Sequence, residues 1–209
     1  MFLAAVVVAA ATTVALIAMR LWQITPGCHS SKPLNRRESS CRTLIFLGSG
    51  GHTAEMMALV STLNQELYTP RFYLVAESDT LSESKAKAQD AKGAVYRLPR
   101  AREVGQSWTK VPISMACALM VSIGLFLQTM PDLILCNGPG SCIPICMAAY
   151  LVRILGLRRV QIVYVESFAR VTRLSLTGRL LYLFVDRFIV QWPELVQRYP
   201  KAEYHGILV

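Results

Sequence analysis

From Met1 to Met19 the chain carries no charged side chain, and Arg20 ends the apolar run. At ~1.5 Å of rise per residue, a helix of that length reaches roughly 28 Å, enough to cross the hydrocarbon core of a bilayer. Residues 1–22 are therefore read as one transmembrane anchor. A cleaved signal peptide would carry a basic stretch ahead of its apolar core, and no Lys or Arg precedes this one. Residues 23–42 hold Pro26, Gly27, Pro33, several serines and Lys32, Arg36 and Arg37, with no apolar period. They read as a basic linker. From 43 to 209 short apolar runs alternate with segments of helical period. The pattern predicts strands over Thr43–Gly48, Arg71–Ala76, Ala94–Leu98, Asp132–Cys136, Val160–Val165 and Arg187–Gln191. Between them it predicts helices over about Thr53–Glu66, Leu81–Ala91, Val111–Met130, Ile143–Leu155 and Leu176–Val185. Strands separated by helices argue for a parallel sheet covered on both faces, an α/β, Rossmann-like domain over 43–209.

The segment Val111–Met130 is uncharged and long enough to be weighed as a second span. Its bulky residues (Met115, Leu119, Ile123, Phe126, Leu127, Met130) lie on one side, and Ser114, Ala118, Ser122 and Thr129 on another. A second span would split the alternating pattern across the membrane, so a helix packed on the sheet is expected. Its bulky face is free to meet the bilayer, with Lys110, Arg153, Arg158 and Arg159 near anionic headgroups. The chain ends in Tyr204–Val209, an apolar, strand-like run. One account packs it inside this domain; the other presents Ile207, Leu208 and Val209 to a partner.

In parallel α/β sheets ligands sit beyond the carboxyl ends of the strands. Here those ends read Gly48-Ser49-Gly50-Gly51-His52-Thr53, Pro99-Arg100-Ala101-Arg102-Glu103-Val104, Asn137-Gly138-Pro139-Gly140-Ser141 and Glu166-Ser167-Phe168-Ala169-Arg170. Glycines let a backbone approach a ligand closely. A helix start offers unpaired N–H groups to an anion, and arginine forks match phosphate oxygens. The first turn is neither a Walker loop nor a full dinucleotide fingerprint, and it also suits simple packing of a helix on a sheet. Gly48, Ser49, Gly50, Gly51, Thr53, Arg100, Arg102, Asn137, Gly138, Gly140 and Arg170 are the candidate diphosphate-binding residues. His52 suits a phosphate contact, a proton transfer or a helix cap. Glu166 ends an apolar strand, where a carboxylate needs a partner such as Arg170, a cap to hold, or a role in proton transfer. His52 and Glu166 are thus both candidate bases, and the sequence does not rank them.

Composition sharpens this. Hydrophobic residues make 53%, charged residues 17%, and the net charge is +9, which suits a membrane-linked protein. The positive charges follow the anchor, which places the domain in the cytosol. The six cysteines show no Cys-x-x-Cys pair, so buried reduced thiols are expected rather than a zinc site. Neither metal nor cofactor nor nucleic acid is expected.

These strand-end motifs, with Val163-Tyr164-Val165-Glu166-Ser167 and Phe188-Ile189-Val190-Gln191-Trp192-Pro193, closely resemble one family. It is the membrane-anchor subunit of the eukaryotic UDP-N-acetylglucosamine transferase of dolichol-linked oligosaccharide synthesis. The Gly-rich turn with His52 is also similar to that of the bacterial transferase that adds GlcNAc to lipid-linked muramyl peptide. The resemblance implies the N-terminal, acceptor-side half of a GT-B glycosyltransferase. A soluble catalytic subunit would supply the UDP-GlcNAc-binding half. Together the two would add the second GlcNAc, in β1,4 linkage, to GlcNAc-diphosphate-dolichol on the cytosolic face of the endoplasmic reticulum, for protein N-glycosylation. The chain would be non-catalytic alone, with the GlcNAc-phosphate transferase of the preceding step as a further neighbour. Two other classes stand beside this one: a self-sufficient enzyme on a phosphorylated lipid, and a scaffold without a ligand site. The charge step after Met19 yields a first prediction. Protease added to intact microsomes is expected to digest residues 43–209; full protection would reverse the topology.

Overall fold

The computed structural model describes residues 2–26, 39–102 and 105–209. Most of the basic linker, with Cys28, Lys32, Arg36 and Arg37, and the Glu103-Val104 end of one motif lie outside them. Helix α1 (Phe2–Ile24) leads into seven strands: β1 (Thr43–Phe46), β2 (Arg71–Ala76), β3 (Ala94–Leu98), β4 (Leu133–Asn137), β5 (Gln161–Val165), β6 (Arg187–Val190) and β7 (Ala202–Tyr204). Six further helices connect them: α2 (Gly51–Ser61), α3 (Thr80–Gln89), α4 (Val111–Thr129), α5 (Ile143–Ile154), α6 (Leu176–Leu181) and α7 (Pro193–Arg198). All strands are parallel, in the order β3-β2-β1-β4-β5-β6-β7. The expected α/β fold is present. The order reverses between β1 and β4, which is where such sheets open a ligand crevice.

The sheet separates two cores. One, built on Ile45, Leu47, Tyr73 and Val75, is closed by α2 and α3 through Met56, Met57, Val60 and Ala86. The other, built on Leu44, Phe46, Ile134, Ile162 and Phe188, is closed by α4, α5, α6 and α7 through Phe126, Ala148, Leu181 and Leu195. Helix α4 packs through its small residues: Ala118 and Ser122 are fully buried, together with Phe126 and Thr129. Small side chains let the helix axis come close to its neighbours. Met120 and Leu127, by contrast, stay exposed. Four of the five described cysteines are buried thiols, and Cys117 on α4 is exposed.

The structure differs from the sequence pattern at both ends of α2 and at the C-terminus. Helix α2 begins at Gly51 rather than Thr53. It stops at Ser61 because Asn64 folds its carboxamide onto the chain, accepting from the amides of Glu66 (2.8 Å) and Leu67 (3.2 Å). Helix α6 ends at Leu181 rather than Val185. The pattern missed α7, one short element started by Pro193 and anchored by buried Leu195. It also misplaced the last strand. Strand β7 ends at Tyr204, so only that residue of the expected Tyr204–Val209 run is extended. Glu203 of β7 pairs with Arg187 on β6, which fixes an edge strand too short for a period of two to register.

The amino ends of the strands are tied by structural ion pairs. Asp132 accepts from Arg158 (2.6 Å) and from the Arg42 amide (3.0 Å). Arg153, buried, bonds Asp186 and the Val160 carbonyl. The base of α1 rests here, with Arg20 donating to the Arg153 carbonyl at 3.2 Å. The rest of α1 stands clear: none of its apolar window, Ala4–Ile24, is buried.

Candidate functional site

At the carboxyl ends of β1 and β4 two turns meet. The first leaves β1, passes Gly48 and Ser49, and enters α2 through Gly50, whose φ is +65° and which receives no side-chain cap. The second leaves β4 at Asn137, passes Gly138 (φ +85°) and enters α5 through a 3₁₀ turn over Gly140–Cys142. The imidazole of His52 lies between them. A Cβ on Gly138 would stand 2.1 Å from His52 Cε1, and one on Gly48 would stand 2.7 Å from His52 Cβ. Both glycines are therefore required by close approach, and Gly138 by its positive φ as well. Thr53 is buried and turned inward. Its hydroxyl bonds the Gly48 carbonyl and Ser82 Oγ, which is held in turn by Asp79 (2.6 Å each for the last two contacts). The side chain of Thr53 thus fixes the turn and does not face the opening.

A chain of polar side chains then crosses three strand ends. Asn137 Nδ2 donates to Glu55 Oε2 at 2.9 Å. A carboxylate only accepts, so the amide oxygen of Asn137 faces His52 Nδ1, at 2.8 Å. The imidazole must donate there, which places the neutral ring's proton on Nδ1 and leaves Nε2 as an acceptor. Glu55 also accepts from Ser167 Oγ (2.8 Å) and from the Phe168 amide (3.3 Å), so it clamps the loop after β5. From β6, Gln191 Nε2 reaches the Glu166 carbonyl (3.1 Å) and Trp192 Nε1 the Phe168 carbonyl (2.7 Å). Sequence reasoning missed Glu55. The signal was its spacing: three residues after His52 on one helix, hence on the same face.

Glu166 sits apart from this surface. It is fully buried, with Oε2 accepting from the amide (3.0 Å) and hydroxyl (3.1 Å) of Ser175 and Oε1 from the Ser167 amide (3.2 Å). Burial raises its pKa above the ordinary glutamate value, and those hydrogen bonds oppose the rise. Ser175 caps α6 by accepting from the Gly178 amide at 2.9 Å. A Cβ on Gly178 would stand 2.3 Å from Glu166 Oε2, so α6 begins directly against this carboxylate. The Tyr164 hydroxyl, 3.1 Å from Ser175 Oγ and 3.3 Å from the Gly138 carbonyl, links the two regions.

Beside the two turns opens a cleft of about 390 Å³. Gly48, Ser49, Arg100, Arg102, Gly140 and Ser141 form its polar side, and Val111, Met115, Ile143, Leu176 and Leu180 its apolar side. It gathers five of the candidate diphosphate residues, Gly48, Ser49, Arg100, Arg102 and Gly140, whereas Gly50, Gly51, His52, Asn137 and Gly138 do not line it. Arg170 does not line it. It is exposed in the loop after β5, and its charge is felt by Glu166. Ile207 is 56% exposed at the far end of the sheet, and the Leu208 amide donates to Gln191 Oε1 at 3.3 Å. The strand ends can therefore hold an anion under arginines and accept a proton at one imidazole. Among the described residues no group of three or more His, Cys, Asp or Glu is arranged to hold a metal.

A family model described as "Oligosaccharide biosynthesis protein Alg14 like" matches residues 43–208. A Mus musculus protein named UDP-N-acetylglucosamine transferase subunit ALG14 is 45% identical over 213 residues, 96% of this chain and 95% of its own length. The Schizosaccharomyces pombe subunit of that name is 45% identical over 190 residues, 87% of this chain and 90% of its own. The Homo sapiens one is 40% identical, with 98% of each chain covered. Among solved structures, Acinetobacter baumannii MurG superposes with a TM-score of 0.57 at 17% identity, over 73% of this chain and 42% of that one. A UDP-N-acetylglucosamine 2-epimerase gives 0.57 at 15%, over 78% and 45%. The chain spans less than half the length of these two structures. The likeness shows the fold, a Rossmann-like sheet equivalent to one half of a GT-B enzyme.

The buried carboxyl of Glu166 generates a pH prediction. Its folded-state pKa lies above the unfolded value, so the folded chain binds the proton more tightly. The stability it confers is fully present at low pH and falls as pH rises from about 4.5, the ordinary glutamate value, through the folded pKa. In thermal melts, wild type is expected to lose stability relative to Glu166→Gln as pH rises across that window. A constant difference would contradict the assignment. Glu166→Ala, which strands the amides of Ser175 and Ser167, is expected to lose about 1–3 kcal/mol.

Proposed function

This chain belongs to the Alg14 family, and from that premise we propose that it is the acceptor-side, membrane-anchoring subunit of a two-chain UDP-GlcNAc transferase. Its acceptor is GlcNAc-diphosphate-dolichol at the cytosolic face of the endoplasmic reticulum. The reaction is β1,4 addition of a second GlcNAc, and a partner chain supplies the UDP-GlcNAc-binding half. The observation that carries the proposal is the cleft at the β1/β4 switch point, where the Gly48-Ser49 turn, the Gly140-Ser141 turn into α5 and two arginines line one opening, with a histidine of fixed tautomer packed against Gly48. Two features support the division of labour. Relatives of matching length bear the name of a transferase subunit. The sheet also corresponds to less than half of a MurG chain.

In this reading the acceptor diphosphate lies against Gly48, Ser49 and Gly140, at the starts of α2 and α5, with Arg100 and Arg102 neutralising its charge. Gly50 and Gly51 keep the α2 start open; a Cβ on either would meet nothing within 4 Å. His52 Nε2 takes the proton from the acceptor hydroxyl as its oxygen bonds to the anomeric carbon of the donor GlcNAc, and the bond from that carbon to UDP breaks with UDP taking the electron pair. The imidazolium so formed is stabilised through Asn137 by the Glu55 carboxylate, which orients the ring and does not itself change protonation. Of the two candidate bases, His52 is preferred. Glu166 instead holds Ser175 and the start of α6, and Thr53 and Gly138 hold the turns. Arg170, outside the cleft in the loop after β5, adds positive potential from a distance. Ile207, Leu208 and Val209 form the docking edge for the partner, and α1 holds the assembly at the membrane.

The test is transfer of GlcNAc to a GlcNAc-diphosphate-lipid by the reconstituted pair. His52→Ala is expected to lower kcat by about 10²–10⁴-fold with partner capture intact. Wild-type rates from that variant would remove His52 as the base. Arg100→Ala is expected to act mainly on the acceptor KM. Deleting Ile207, Leu208 and Val209 removes side chains worth ~1.5–3 kcal/mol each if fully buried by the partner. Co-precipitation of the partner is expected to fall accordingly, whereas undiminished capture by a folded, shortened chain would place the docking edge elsewhere.

A further inference from the structure

Behind the cleft runs a second cavity of about 400 Å³ whose walls are almost wholly apolar. It lies between α5 and α6, where Cys146, Met147, Tyr150 and Leu151 face Leu181 and Phe184. The two cavities adjoin. Ile143 and Leu180 line both of them. At its other end the apolar groove reaches Leu21, on α1. That residue lies between Arg20 and Trp22, the charged and aromatic foot of an otherwise apolar helix, which is the sequence signature of a bilayer surface. One apolar wall thus extends from the foot of the anchor to the edge of the site where the diphosphate is placed.

The chemistry of the walls selects an occupant. Tyr150 carries the one hydroxyl of the groove, and it is engaged by the Phe184 carbonyl. Among the described residues no charged one lines the groove, so a headgroup or a polar peptide finds no partner there. Leu180 is 54% exposed, Phe184 45%, Met147 42% and Leu151 41%. Apolar surface of that kind gains free energy when an aliphatic chain covers it. The groove follows α5 from Ile143 to Leu151, about 12 Å at 1.5 Å per residue. That is a length suited to a few isoprenoid units and not to a whole polyisoprenoid. We infer that this groove receives the first isoprenoid units of the acceptor lipid, leading the tail from the bilayer at Leu21 to the diphosphate cleft at Ile143 and Leu180. The inference rests on the acceptor role proposed above and adds that the site reads the tail as well as the head. An acceptor held at both ends arrives at His52 in one orientation.

The experiment uses the full chain with its partner in detergent micelles, so that the bilayer is not a variable. Two acceptors share the GlcNAc-diphosphate head; one bears a long polyprenyl tail and the other a short, water-soluble alkyl tail. The wild-type pair is expected to favour the long tail by at least about tenfold in kcat/KM. Met147→Gln and Phe184→Gln change exposed side chains of the groove wall and leave the cleft intact. They are expected to erase that preference through KM, with the short-tail acceptor unaffected. Variants that keep the preference, or lower both acceptors alike, would overturn the groove. So would loss of vesicle flotation alone with tail preference intact, which would make the surface a bilayer contact. A second readout is independent of transfer. A polyprenyl diphosphate with a diazirine on its second isoprene unit is expected to label Met147 or Tyr150, in competition with unlabelled polyprenyl diphosphate and not with inorganic pyrophosphate. Labelling without transfer to either acceptor would uphold the groove and refute the transferase reading. Absence of labelling would refute the groove whatever the enzyme does.

Discussion

The arrangement depends on one missing side chain. Gly138 has a positive φ, and any Cβ there would enter the His52 ring. That single vacancy lets the turn after β4 close over the turn after β1, and the strand order reverses at just this pair. The consequences spread along the carboxyl edge of the sheet. With the ring seated, Asn137 is held between imidazole and Glu55, and Glu55 can fasten the loop after β5. Trp192 and Gln191 then tie in the end of β6. Each of these side chains is held by at least one partner while His52 Nε2 is left to accept, and a buried polar network tolerates little loosening.

The two ends of the sheet use charge differently. At the amino ends, arginines meet carboxylates: Arg153 with Asp186 and Arg158 with Asp132. These pairs hold strands and the foot of α1 in place. At the carboxyl ends, Arg100 and Arg102 line an open cleft between helix starts, where the local field favours an anion. The same residue type is structural at one edge and suited to a ligand at the other.

The faces of the sheet are also unequal. The α2–α3 face packs Met56, Val60 and Ala86 inward and includes the polar helix α3. The α4–α6 face leaves Met120, Leu127, Leu180 and Phe184 exposed, and it is the face on which α1 rests. Exposed apolar surface beside an apolar helix is a consistent description of a domain that works against a membrane. On the reading proposed above this is the side that meets the bilayer, and the groove along α5 adjoins the cleft.

The sequence by itself determined the alternation of strands and helices, the separate apolar helix at the start, and which turns would crowd the carboxyl edge. Those features are local: period, charge steps and glycine punctuation are written in neighbouring residues. It also singled out His52, Arg100 and Arg102. It left His52 and Glu166 equal, because rank between two ionisable groups depends on burial and partners, and those come from distant segments. Only the tertiary structure put Glu166 under α6 and set His52 against Asn137. It alone turned Thr53 inward and brought in Glu55, whose partners lie on β4 and after β5. It alone also showed that β7 stops at Tyr204, since a three-residue edge strand is specified by its pairing with β6 and not by any pattern of its own.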